Sequence, residues 1–210
     1  MSVGNTRSDD IGKFLAELAA PESIGAPLMA TAVAGAMGTS LLLHVAGLPT
    51  TRSGSVDERH ALAVAAAMLK DVRSQLVDIT ETRVPVKPSE LRPMAKGKRP
   101  QRLMRDGAIE LTLRAAADVP LEVIRLCASA LKYGQTVAAC SCRAARSDVE
   151  FAIALLRIGM DGARSHLEAK LNSLTDLTYT KAVVQEVAHL NDEGSAAARA
   201  AELSVQPPPA

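Results

Sequence analysis

Three side chains in this 210-residue chain combine a titratable group with a placement that could serve chemistry: Asp148, Asp78 and His166. Asp148 follows Ser147 at the start of a long expected helix, where the helix dipole favours a carboxylate. It would orient a ligand nitrogen there; an ordinary N-terminal acid is the plainer alternative. Asp78, in the stretch LVDITETRV, would act as a base or stand as a solvated surface acid. His166 lies four residues after Gly162. Its imidazole titrates near neutral pH and suits proton transfer, but also hydrogen-bonded packing.

Binding groups for an anionic ligand come from RPMAKGKRPQRLMR, which carries Lys96, Arg102 and Arg105 among its six cations and has no acid. Clustered guanidinium and ammonium groups hold carboxylates well; a solvated loop and helix start is the other reading. Cys140-x-Cys142 with Cys127 fits no standard zinc spacing, so no metal is expected and the three cysteines read as plain thiols.

The elements that must position these groups are helices. Asp9 or Asp10 caps a short one over about 10–20, with Ile11, Phe14, Leu15 and Leu18 on one face. A small-residue helix is expected from about 27 to 47, stopped by Gly47 and Pro49. A third covers about 56–83, and a fourth about 101–118. Asp118-Val119-Pro120 reads as the restart of a fifth, because proline is comfortable in a first turn. The stretch 135–145 is ambiguous. Helices follow at about 148–172 and 177–190.

The expectation is an all-α, up-and-down bundle of six to seven helices. A flexible stretch over 1–9 precedes the helical domain of 10–191, and an Ala/Ser/Pro tail over 192–210 reads as disordered.

Composition removes several classes. Apolar residues make up 48%, which supports a packed core, and a net charge of +1 gives no general pull toward nucleic acid or anionic membrane. With aromatics at 2%, no base-stacking platform and no nucleic-acid partner are expected. The odd cysteine count fits a reducing cytosol, and the N-terminus has no apolar signal core; a cytoplasmic protein is expected. The stretch from Ala26 to Pro49 carries no charged residue and meets the length rule for a membrane span. Its Ala, Gly, Thr and Ser content and His44 favour a buried bundle helix, so no membrane partner is expected.

Residues 14 to about 176 resemble the cyclodeaminase/cyclohydrolase family that acts on tetrahydrofolate derivatives. The resemblance is carried by Phe14-Leu15 with Leu18-Ala19, by Ala34-Gly35-Ala36-Met37-Gly38, by AAADVPLEVIRLC at 115–127, by Ser147-Asp148, and by GARSHLEAKLNSL at 162–174. It implies a dimerising helical bundle with the folate in a cleft near the dimer interface, and a tetrahydrofolate derivative as substrate rather than cofactor. The family enters its small-residue helix through Pro-Thr-Pro-Gly-Gly-Gly-Ser. Here Gly25 precedes Ala26, Pro27 and Leu28 at the three glycine positions. Pro27 removes an N–H that would approach a polar ligand, and Leu28 adds bulk.

The family's Lys-rich run ending in Tyr is matched by Thr51-Arg52-Ser53-Gly54-Ser55, which keeps one cation, Arg52. The family's Asn-Pro-Asn gives way to AACSCRAAR before Ser147-Asp148. The resemblance implies ring opening or closing at a C–N bond; Asp148, Asp78 and His166 are the candidate catalytic groups, although the family has Asn at the position of His166 and an acidic residue where Thr80 stands here. Gly25, Ala26, Pro27, Arg52, Lys96, Arg102, Arg105 and Ser147 would contact substrate. A cyclase acting on a non-folate substrate and a non-catalytic ligand-binding homologue are the alternative functions.

Overall fold

The computed structural model describes residues 6–21, 25–81 and 99–204, with side chains described from residue 10 and, after the gap, from residue 107. Six helices make up these residues: α1 (Thr6–Ala19), α2 (Ala26–Gly47), α3 (Val56–Glu81), α4 (Arg99–Cys140), α5 (Arg146–Leu171) and α6 (Leu177–Ser204). No strand occurs among the described residues.

α2 is the central rod. Its small residues let neighbouring backbones come close: an added Cβ at Gly38 would sit 2.7 Å from the Ala152 carbonyl oxygen, and one at Gly159 would sit 2.8 Å from that of Thr31. These contacts run α5 antiparallel to α2, because Gly38 meets Ala152 and Leu156 while Thr31 meets Gly159 and Gly162. Gly35 lies against Leu76 of α3 and Cys127 of α4, and Leu42 lies over Gly134. α4 therefore runs parallel to α2. α3 runs the other way, since Ala46 shares a hollow with Leu62 and Ala66. α6 follows α4 in parallel, tied by Tyr179 to Asp118 and by Glu186 to Arg125. α2 to α6 thus alternate in direction along the chain.

The core lies where these helices meet. Leu42, Leu69, Leu76, Ile124, Leu131, Ile153, Leu156 and Leu167 are fully buried. Burying each such side chain contributes about 1.5–3 kcal/mol against the entropy of ordering the chain. α3 starts on a reciprocal cap: Ser55 N–H donates to Glu58 Oε2 at 2.7 Å, and Glu58 N–H donates to Ser55 Oγ at 3.2 Å. Two orphan donors are satisfied at once.

Three boundaries differ from the sequence reading. The first helix begins at Thr6, so part of the expected flexible N-terminus is helical, and residues 1–5 lie outside the described residues. The expected fourth and fifth helices are one, and the ambiguous stretch after them is its end up to Cys140, with a 3-10 turn at Arg143–Ala145. Pro120 sits inside α4 and is buried. It forfeits the hydrogen bond to the carbonyl four residues back, and clamps on both sides hold the helix through the break. Arg114 pairs with Asp176 and Tyr179 Oη donates to Asp118 Oδ1 at 2.7 Å on one side; Arg125 Nε donates to Glu186 Oε1 at 2.6 Å on the other.

The third correction concerns the tail. α6 continues past Asn191 to Ser204, where disorder was expected from residue 192. Alanine is the best helix former, and Gly194, Ala197, Ala198 and Ala201 are buried, with Gly194 against Leu131 and Met160. Residues 205–210 lie outside the described residues.

Candidate functional site

The candidate residues fall at two ends of the bundle. At the end where α2 begins, Gly25 forms the N-cap, with Ala26 buried, Pro27 exposed and Leu28 buried. Leu28 is 4% exposed, so its bulk belongs to the core and only Pro27 stands at the lip. The first turn keeps the N–H groups of Ala26 and Leu28 and lacks that of Pro27; Met29 N–H already donates to Gly25 O at 3.0 Å.

His166 lies one turn past Gly162 on α5 and Gly162 packs on Thr31, which brings His166 to the level of Pro27. It is half-buried. Burial first, then the nearby Lys170 ammonium, holds its imidazole below the usual histidine range, so it is neutral at pH 7. Asp78 is exposed on α3, two residues past the Leu76 that packs on Gly35.

At the opposite end, α5 begins beside the end of α2. Ser147 is exposed and Asp148 is half-buried in the first turn of α5. Arg52 Nε donates to the Ala46 carbonyl at 3.2 Å, so this cation caps the last turn of α2. Asp148 and His166 are both on α5, eighteen residues and about 27 Å apart at 1.5 Å per residue. One chain therefore cannot bring the two groups to one substrate atom. The catalytic trio expected from sequence is divided, His166 and Asp78 toward one end and Asp148 at the other.

Of the cationic stretch, Lys96 lies outside the described residues. The backbones of Arg102 and Arg105 belong to the first turns of α4, which reach beyond the level of Pro27 on the His166 end. That end is thus the one with a cationic extension.

Sequence reasoning missed the polar cluster beside it. Glu110 accepts from Thr175 N–H at 3.3 Å, Thr175 Oγ1 at 2.8 Å and Asp176 N–H at 3.1 Å. Arg114 lies 5.1 Å from the centre of the Tyr179 ring and pairs with Asp176, which caps α6 through the N–H groups of Thr178 and Tyr179. Burial, then the Asp118 hydrogen bond, pushes the Tyr179 phenol up to about 12. These groups pair with one another, apart from Arg114 Nε, which is buried without a hydrogen-bond partner among the described residues, and the cluster fixes the α5–α6 turn against α4. The one signal in the sequence was Tyr179 itself, a rare aromatic amid charges.

The thiols divide by environment. Cys127 is buried under Gly35 and Gly159, and burial pushes it up to about 12. Cys142 lies 3.4 Å from Thr50 Oγ1. Hydrogen bonding to Thr50 and then the backbone N–H groups of Ala145 and Ala144 hold it below the usual thiol range. Burial and the Glu58 charge raise Cys140. Iodoacetamide at neutral pH is expected to label Cys142 first, Cys140 later and Cys127 only in denaturant; peptide mass spectrometry reads the order.

Among the described residues no three His, Cys, Asp or Glu side chains are grouped to hold a metal ion. An open groove of about 560 Å³ runs between α4 and α6, lined by Arg125, Ser129, Lys132, Tyr133 and Glu193 over alanines; it contains none of the candidate residues.

No curated protein matches the chain significantly. Among solved structures, it is similar to formiminotetrahydrofolate cyclodeaminase from Thermotoga maritima, with a TM-score of 0.77 at 18% identity over 93% of this chain and 94% of that one. At that identity the likeness speaks for the helical fold. A formiminotransferase-cyclodeaminase family model matches residues 10–189, a span that takes in Gly25, Asp78, Asp148 and His166 and nearly all of the five alternating helices described above; the chain belongs to that family.

Proposed function

We propose that the protein is a cyclodeaminase-like enzyme that opens or closes a ring at a C–N bond of a small molecule, with a tetrahydrofolate derivative as the first candidate. The observation that carries this reading is the family match, which runs unbroken through the helices bearing the candidate groups. In the cyclodeaminase direction, a folate nitrogen attacks the formimino carbon, a C–N bond closes the ring, and ammonia leaves with a proton supplied to it. A carboxylate and a neutral imidazole are suited to moving those protons. His166, neutral at pH 7, accepts. Asp148, about 27 Å along the same helix, would reach the nitrogen and stabilise its developing positive charge only from a second copy of the chain, as the dimer implied by the family resemblance would place it.

The cationic start of α4 gives this end a charge opposite to that of a glutamate tail. The reaction uses no metal or bound cofactor in this scheme. The free cysteines suit work in a reducing cytosol.

A second reading has its own observation. Pro27 stands exposed where the family places a glycine, so the lip has one backbone donor fewer and a rigid ring in its place. That favours a substrate with fewer acceptors than folate, cyclised by the same proton chemistry.

The purified protein is mixed with methenyltetrahydrofolate, and separately with formiminotetrahydrofolate, and the methenyl chromophore is followed. Decay of the first, or growth from the second with release of ammonia, is expected. No rate above buffer in either direction, alongside a folate-induced rise in melting temperature, would assign a binding protein instead. No rate and no rise would point to the non-folate substrate.

A further inference from the structure

Two thiols that the proposed reaction does not use sit together at one end of the bundle. Cys140 is the last residue of α4, and Cys142 precedes the turn Arg143–Ala145 that leads straight into α5. Both are half-buried, and both face the α2–α3 connection. Cys142 Sγ lies 3.4 Å from Thr50 Oγ1, and Cys140 Sγ lies 4.0 Å from the carbonyl oxygen of Glu58. One residue separates them, so their Cα atoms are at most about 7 Å apart, within the span a disulfide can bridge. Ser141 and Cys142 lie outside any helix, so their torsions can adjust without unwinding α5. Cys127 is no partner for either: it is thirteen residues before Cys140 on α4, about 20 Å away, and buried under Gly35 and Gly159.

We propose that Cys140 and Cys142 form a thiol–disulfide exchange site whose co-reactant is a low-molecular-weight disulfide, with Cys142 the attacking thiol and Cys140 the resolving one. The roles follow from the surroundings. Cys142 is extended ahead of its turn, where the Thr50 hydroxyl and the N–H groups of Ala145 and Ala144 converge on its sulfur; these donors favour the thiolate, which is the nucleophile. Cys140 has burial and the Glu58 charge against its ionisation, so it stays a thiol until a disulfide lies within reach. Two thiols do not complete a tetrahedral zinc site, and no third His, Cys, Asp or Glu joins them among the described residues.

The chemistry balances in two steps. The Cys142 thiolate attacks one sulfur of the small disulfide RSSR: a Cys142–SR bond forms, the S–S bond breaks, and the first RS⁻ leaves with the proton that Cys142 has shed. Cys140 then attacks the Cys142 sulfur: the Cys140–Cys142 bond forms, and the second RS⁻ departs with the Cys140 proton. The protein loses two electrons and two protons, and RSSR is reduced to two RSH. A bridge across one residue closes a tight ring, and strained, exposed disulfides are the easily reduced ones. The site is therefore a dithiol in a reducing compartment and closes when the small-disulfide pool rises. It stands on the two thiols and their neighbours alone and does not depend on the reaction proposed above.

Peptide mapping after exchange tests this without any assay of turnover. The full chain is incubated with glutathione disulfide at neutral pH, quenched with acid and digested with trypsin. Fragment 133–143 then carries both cysteines, and fragment 126–132 carries Cys127. The wild type is expected to yield fragment 133–143 short of two hydrogens, with no lasting glutathione adduct, and excess reduced glutathione is expected to restore them. Cys140→Ser, which keeps the attacking thiol and lacks the resolving one, is expected to accumulate the mixed disulfide at residue 142. Cys142→Ser is expected to gain its adduct at residue 140 at least about fivefold more slowly. The wild-type measurement needs no substitution, so it stands even if a variant folds poorly. A wild type that carries one or two adducts and no internal bond overturns the proposal, and so does one that does not react. Equal rates in the two serine variants, with their helical circular dichroism unchanged, overturn the assignment of roles and with it the proposed site.

Discussion

Gly38→Val is expected to abolish the native fold, and Gly38→Ala to lower the melting temperature by about 6–12 °C for a chain of this size. A Cβ at position 38 would lie 2.7 Å from the Ala152 carbonyl oxygen, 2.9 Å from Leu156 Cγ and 3.2 Å from Leu155 Cβ. The first of these atoms is backbone, so no rotamer change relieves the clash and α5 itself must move. Moving α5 disturbs its contacts with Gly35 and Thr31, one and two turns away, because Gly159 and Gly162 are fitted there just as closely. Overpacking of a close-packed core costs about 3 kcal/mol for a single added carbon at the upper end of the usual range; the two further methyl groups of valine exceed what the bundle can absorb.

Gly107 is the control. Nothing lies within 4 Å of a Cβ added there, and it sits inside α4. Gly107→Ala is expected to stabilise by about 1 kcal/mol through helix propensity alone. Thermal melts followed at the helical circular dichroism band separate the cases. A Gly38→Ala protein as stable as the parent would mean that α2 and α5 are not in contact at this crossing.

That some backbone packs closely on α2 was legible in the sequence, because Ala34-Gly35-Ala36-Met37-Gly38 lacks the side chains that would hold a neighbour away; that the neighbour is α5 was not. What the sequence could not show was how far local signals yield to tertiary contacts. Asp118-Val119-Pro120 carries every mark of a helix start, yet α4 passes through it, held by Asp118 and Arg114 to the beginning of α6. Those partners lie some sixty residues away and leave no local trace. The 192–204 segment reads as tail by composition, and it is helical because its alanines meet α4. Small residues say nothing about whether a partner is present.

The site was legible in its residue types and not in its arrangement. Ser147-Asp148 at a helix start and His166 on the same helix were identifiable. Their distance was implicit in the helix they share, but only the antiparallel fit of α5 on α2 shows that they mark opposite ends of the bundle. Arg52 carried a plausible anion-binding role, and its Nε donates to Ala46 O, which ties the guanidinium to the end of α2. Leu28 looked like an obstruction at the ligand loop, and burial places it in the core. In each case the side chain's direction decided the role, and direction depends on which face of the helix meets a neighbour.

His166→Ala and Asp148→Ala are each expected to lower kcat/KM of the proposed reaction by about 10²–10⁴-fold, the usual contribution of a positioned acid or base. Stability should change little, because neither side chain belongs to the buried core. His166→Gln separates proton transfer from shape: it keeps a hydrogen-bonding group and loses the titration, so it should be nearly as slow as the alanine variant.

The pH dependence has a definite sign. Burial and Lys170 depress the His166 pKa below the ordinary histidine value of 6.5. Activity that needs the neutral imidazole is therefore level above that value and falls only as pH drops through the lower, folded-state pKa. Stability follows the same direction. Between the folded and unfolded values the unfolded chain binds more protons, so the contribution present above pH 6.5 is lost as pH falls through that window. The wild-type kcat/KM profile should lose its acid limb in His166→Gln, leaving a low, flat rate. A variant that retained the limb would assign the proton transfer to another group, and Asp78 on the same half of the bundle is the first to replace it.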